Sequence, residues 1–252
     1  MKYFTKEWYD LCQRTSFHLS LVEEQQAETF SEQYFQQLYN SELKSWIELQ
    51  EEIASIMDTM ETVNSEEHEP FTREQAILQF HDSFLFNQMW LQQELPETIV
   101  QQIADIRVFA LNKATRSVIN TVTEFCEENE KIVTSTSEEY RNYYKEASHS
   151  FGKEIVENFG FHDCTIKNSV QKGNSLTLLL DNSGGFTSID EVTFENFNIL
   201  KQDDVLENSW WLYEEIYKVN GKYEFHVLLQ DGKGLIDFVI SADQVSYKRN
   251  KN

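Results

Sequence analysis

Apolar positions change their rhythm once along this chain. Up to about residue 158 they recur every three or four residues, which predicts helices; beyond it they alternate in short runs, which predicts strands. Phe4, Trp8 and Leu11 with Cys12 mark a short opening helix. Ala27, Phe30, Tyr34 and Leu38 form a second stripe, which Leu43, Trp46, Ile47, Ile53, Met57 and Met60 continue after a break expected at Asn40-Ser41. The charged stretch "NSEEHEP" (64–70) reads as a loop, and Thr72 with Gln75 is a capping signal for a helix through Phe80, Phe84 and Leu91. Pro96 opens a helix carrying Ile99, Ile103, Ile106 and Leu111 towards Phe125. A last helix runs from about Ser137 to Asn158, with Tyr140, Tyr144, Phe151 and Ile155 on its apolar side.

Past Gly160 come "CTIKNSV", "SLTLLLD", "FTSIDEVTFENFNIL", "WWLYEEIYKV", "KYEFHVLLQ" and "LIDFVISA", separated by turn residues. The expected fold is α+β: an N-terminal bundle of about five or six helices, then a small antiparallel sheet of about six strands. Glycine usage puts the boundary in the same place. All eight glycines lie at or after Gly152, while both prolines, Pro70 and Pro96, lie before it. Glycine costs a helix interior about 1 kcal/mol, so a glycine-free stretch of this length favours helix. Two domains are expected, 1–158 and 159–252, packed together.

The strongest local signal is Asn220-Gly221, a two-residue hairpin turn. Counting outward pairs Val219 with Lys222, Tyr217 with Glu224, Ile216 with Phe225 and Glu215 with His226. If "DGKG" is a four-residue loop, Gln230 meets Leu235, Leu228 meets Asp237 and His226 meets Val239, with Asp237 within about 8 Å of His226 on its face. Alternation then makes a core face of Leu212, Ile216, Phe225, Val227, Leu229, Ile236, Phe238 and Ile240. The opposite face gathers Trp211, Tyr213, Glu215, Tyr217, Glu224, His226 and Asp237. Mixed aromatic and acidic residues suit protein contact. One histidine with two acids also suits acid–base chemistry or a weak metal site. A solvent-facing sheet surface with a Glu–His pair, or one packed on the helical part, accounts for the same pattern without a site.

"FGFHDC", Phe159 to Cys164, is the other candidate. It reads as a seam, with Gly160 capping the last helix in a left-handed conformation and Cys164 opening a strand. The alternative gives His162 and Asp163 a ligand role, because polar pairs on loops often carry function. A cysteine nucleophile at Cys164 would need exposure and a second histidine beside it. "EASH" (146–149) is a single E-x-x-H where a di-iron bundle needs two, and His81 with Asp82 in "FHDS" reads as a core or interface pair. No Walker A, GxGxxG, HExxH or GxSxG pattern occurs. No residue is assigned a catalytic or metal-ligating role, and no cofactor is expected.

Charge narrows the partner class. The net charge is −22, with 27 acidic and 11 basic groups in residues 1–150 alone. Such a field repels nucleic acid and anionic membranes and favours a basic protein partner. No apolar run is long enough to span a bilayer, and no signal core follows Met1. Cys12, Cys126 and Cys164, odd in number and far apart, fit a reducing cytoplasm.

Together "MKYFTKEWYDLCQ", the acidic Gln-rich helices, "FHDCTI" and "GLIDFVISADQV" resemble a family of cytosolic proteins from Gram-positive bacteria known only as a domain of unknown function. The last strands are also similar to small β modules of bacterial immunity proteins. The resemblance implies a soluble bacterial protein and brings no catalytic residue to transfer. Residues and resemblance together favour a non-enzymatic interaction or regulatory module contacting its partner through Trp211, Tyr213, Tyr217 and His226. The rival is a metal-dependent hydrolase or other enzyme using His226, Glu215 and Asp237, with His162 and Asp163 brought near.

Overall fold

The structure, a computed structural model, describes residues 1–64 and 71–249, with side chains for all of these except 58–64. The expected loop at 64–70 therefore lies, from residue 65 onward, outside the described residues. The chain divides into two compact units: Arg14–Glu128, and Met1–Gln13 together with Asn129–Asn252. The division falls there and not at 158/159. Seven α-helices and one eight-stranded antiparallel sheet are present among the described residues, and the helices are not confined to an N-terminal bundle. α1 (Lys6–Cys12) belongs to the unit that holds the sheet.

The helical unit, 14–128, contains α2 (Glu32–Asn64), α3 (Arg73–Glu94), α4 (Glu97–Val100), α5 (Ile106–Ala110) and the first turns of α6 (Arg116–Ala147). Two short parallel strands, β1 (Val22–Glu23) and β2 (Lys113–Ala114), tie its ends. α2 runs unbroken through Asn40-Ser41. The helical phase keeps Tyr39 and Trp46 facing α3, where Tyr39 packs on Phe80 and Phe84 and the Trp46 indole donates to the Ala76 carbonyl at 3.0 Å. Those contacts outweigh the weak helix preference of Asn and Ser. Thr72 caps α3 as expected, its hydroxyl accepting from the Gln75 amide and donating to the Gln75 side chain.

Between Pro96 and Asn158 the expected two helices are redistributed. Asp105 accepts from the Arg107 amide and starts α5 afresh, and Asn112, at φ 62°, turns the chain into β2. α6 then runs as one helix across Ser137, where a separate helix was expected to begin. Gly152 precedes the short α7 (Lys153–Asn158).

In the sheet unit, β3 (Thr165–Lys172), β4 (Ser175–Asp181), β5 (Ile189–Glu195), β6 (Asn198–Gln202), β7 (Trp210–Val219), β8 (Lys222–Gln230), β9 (Leu235–Ala242) and β10 (Gln244–Arg249) are ordered β10-β5-β4-β3-β7-β8-β9-β6. The expected six strands become eight. The long run 186–200 splits at Asn196, which has φ 50°, and the chain turns at Asp243 into β10. β3 and β7 pair only at Thr165 and Trp210, so most of β7 has an open edge. Two tyrosines of α6 cover it: the Ile216 amide donates to Tyr140 at 3.2 Å, and the Tyr143 hydroxyl donates to the Ile216 carbonyl at 3.3 Å. The two halves of the sheet share one core, with Phe194 of β5 against Phe225 of β8, ring centroids 5.3 Å apart.

The loop from Asn182 to Ser188 lies against the start of β3. A Cβ at Gly185 would come within 2.5 Å of the buried Cys164 sulfur. Gly185→Ala is therefore expected to destabilise the protein by about 1–3 kcal/mol. Adding Cys164→Ala should restore most of the loss in thermal denaturation; a double mutant no better than the single would contradict this packing.

Candidate functional site

Asn220 (φ 51°) and Gly221 (φ 83°) form the two-residue turn, and the pairing follows outward as counted: Val219–Lys222, Tyr217–Glu224, Ile216–Phe225 and Glu215–His226. Across the second turn Gln230 meets Leu235, Leu228 meets Asp237 and His226 meets Val239. Glu215 and His226 thus share a face. Beyond them the counting fails. A bulge at Leu212 shifts the register between Trp211 and Tyr213, and Trp211 enters the core, fully buried against Phe159 and Phe161. Trp211 is not a surface residue, and the aromatic patch loses its largest member.

The middle of that face, Tyr213 and Glu215, is covered by the chain's own first residues. Glu215 is fully buried, and its carboxyl accepts from the amides of Lys2, Tyr3 and Phe4 at 2.8, 2.7 and 2.6 Å and from the Tyr217 hydroxyl at 2.5 Å. Three successive N–H groups converging on one carboxyl form an anion-binding concavity of backbone. Burial, and then the bond to Glu215, push the Tyr217 hydroxyl well above its ordinary pKa. Phe4 and Trp8 pack on Tyr213, tilted and edge-on with ring centroids 5.4 and 4.9 Å away, and Tyr3 packs on Tyr140 and Tyr143. This part of the face is an internal seat for residues 1–13.

The predicted acid–base trio is divided accordingly. His226 lies 3.4 Å from Glu224, a marginal contact, and its Nδ1 is buried with no partner among the described residues. Asp237 pairs with Lys201 at 2.6 Å, and its amide donates to Asp203, which Lys6 holds at 2.7 Å and keeps below its ordinary pKa. Among the described residues no three His, Cys, Asp or Glu side chains are grouped to hold a metal ion.

At the seam, α7 ends on Phe159 in an extended conformation. Gly160 does not adopt the left-handed cap; the left-handed residue of this corner is Asp163, at φ 66°, beyond the helix end. His162 Nδ1 sits 3.0 Å from Asp163, both about half exposed, and burial pushes the Cys164 thiol up to about 11. A thiol so protonated is a poor nucleophile. Sequence reasoning missed the acid behind this corner. The Trp211 indole donates to Glu214 at 2.7 Å, and the other carboxyl oxygen lies 4.0 Å from where a Gly160 Cβ would stand. Burial raises the Glu214 pKa above 4.5, against the lowering effect of that indole bond. The folded state therefore holds a proton that the unfolded chain gives up above about pH 5, and stability falls as pH rises through the folded pKa. Glu214→Gln keeps an acceptor for the indole and should flatten the fall in wild-type Tm as pH rises above the ordinary carboxylate range. Parallel declines in both proteins would contradict this.

The exposed apolar surface lies elsewhere. Along α3, Phe80, Phe84 and Leu91 face the core of the helical unit, and Ala76 is buried in line with them. At 100° per residue, Leu78, Asp82, Leu85, Phe86 and Met89 fall within about 100° of arc on the opposite side. Leu78 is 61%, Leu85 43%, Phe86 68% and Met89 58% exposed. The sequence reading followed the covered row, Phe80, Phe84 and Leu91, and did not pick out this second one. His81, beside it, has Nδ1 3.1 Å from the Tyr39 hydroxyl. No helix among the described residues is long and apolar enough to cross a membrane.

No curated protein and no solved structure matches the chain. A family model described as a protein of unknown function, DUF4085, matches residues 29–240, from just before α2 to near the end of β9, and the chain belongs to that family.

Proposed function

We propose that this protein is a non-enzymatic interaction or regulatory module that meets its partner through the outward row of α3. The observation that carries this reading is the double-sided helix: one apolar row is buried in the core of its unit, and a second stands in solvent on the opposite side. Large apolar side chains grouped on a surface mark a contact site. The aromatic sheet face, being seated on residues 1–13, gives way to α3 in this reading. Cytoplasmic action is supported by the buried thiols of Cys126 and Cys164, with no disulfide among the three cysteines.

Affinity capture from the cells of origin tests it, using wild type, Leu85→Ser/Phe86→Ser, and the control Phe186→Ser, at a residue 90% exposed in another part of the chain. The expected result is a protein recovered by wild type and control and lost with the α3 variant. Recovery unchanged by the α3 substitutions would overturn the reading.

A further inference from the structure

The outward row of α3 also carries information about what covers it. We infer that the partner presents an amphipathic helix, laid along this row, with a lysine or arginine set against Asp82. The inference rests on the reading of α3 as the contact surface and adds the partner's chemistry.

Leu78, Asp82, Leu85 and Met89 are spaced four, three and four residues apart, with Phe86 beside them. That alternation forms the ridge along which a second helix packs at a shallow angle, as in coiled coils and helix-in-groove recognition. From Leu78 to Met89 the row is about 16 Å long, so a helix of about three turns covers it. Its middle position is an acid. Asp82 is exposed and makes no ion pair among the described residues.

The charge of this stretch of sequence has the same sign. Residues 42–97 hold 13 acidic groups and two basic ones, Lys44 and Arg73, a net of −11 and half of the protein's −22, though Glu42 and Glu94 pair with Lys113 and Arg14 from outside it. Both cations are already engaged, Lys44 with Glu48 at 3.6 Å and Arg73 with Glu51 at 3.7 Å. A second copy of this chain would bring the same acids face to face, and an anionic membrane would be repelled. A helix with apolar residues on one side and cations within and beside that row satisfies both features.

Fluorescence anisotropy with synthetic helical peptides of about 18 residues tests this, with leucine at the a and d positions and lysine, glutamine or glutamate elsewhere. The proteins are wild type, Phe86→Ser/Met89→Ser and Asp82→Lys, each checked for native circular dichroism. The expected result is binding of the lysine peptide to wild type, weakened about tenfold or more by either variant, with the glutamate peptide the weakest of the three. If all three peptides bind alike and Asp82→Lys changes nothing, the cation is wrong, while α3 as a contact surface stands. Binding of the lysine peptide that ignores Phe86→Ser/Met89→Ser would show only diffuse attraction and sink the inference. If no peptide binds, the inference also fails, and the capture experiment then decides the broader reading alone.

Discussion

Replacing Glu215 by alanine is expected to cost about 3–5 kcal/mol of stability, the largest loss from any polar side chain here. Two physical effects add. The amides of Lys2, Tyr3 and Phe4 lose their shared acceptor while remaining buried, and the Tyr217 hydroxyl loses its partner. A buried donor left unmade costs its full desolvation, whereas the bond itself contributes less than that. Glu215→Gln should fall between, since one oxygen remains and an NH2 group now meets a donor. Thermal denaturation gives the cost, and amide exchange at residues 2–4 gives its location. Fast exchange there is expected in the variant. An unchanged Tm would mean that Glu215 does not hold residues 1–13.

The second large effect is at Trp211. Its side chain is fully buried, with rings of Phe159 and Phe161 at 5.8 and 5.0 Å and its indole N–H committed to Glu214. Trp211→Ala should cost about 3–5 kcal/mol, because the lost contact area is joined by a cavity that the surrounding rings cannot close. Tyr213→Ala, on the other side of the bulge, removes contacts with Phe4 and Trp8 and should loosen residues 1–13. A Trp211→Ala protein as stable as wild type would put the indole back on the surface.

These two residues also show what the sequence could carry. The hairpin register was legible because Asn-Gly admits a tight turn with two positive-φ residues, and each pair then follows by counting. The change from helix to strand was legible in glycine usage and period. The bulge at Leu212 was not, since an extra residue in one strand leaves no local signature, and it moved Trp211 from surface to core. Nor were the backbone partners of Glu215 legible. They lie more than 200 positions away along the chain, and backbone amides carry no side-chain identity to read. The chain breaks expected at Asn40-Ser41 and before Ser137 failed for a related reason: burial of Tyr39 and Trp46 against α3, and of Tyr140 and Tyr143 against β7, decides helix continuity more strongly than local preference.

The central claim is that the sheet's aromatic face is filled from within, and that α3 offers the surface other proteins touch. Photo-crosslinking in the cells of origin tests both halves at once, with benzoylphenylalanine placed at Phe86 in one protein and at Tyr217 in another. A discrete adduct with another protein is expected from position 86 and none from position 217. An adduct from position 217 with none from 86 would contradict the account.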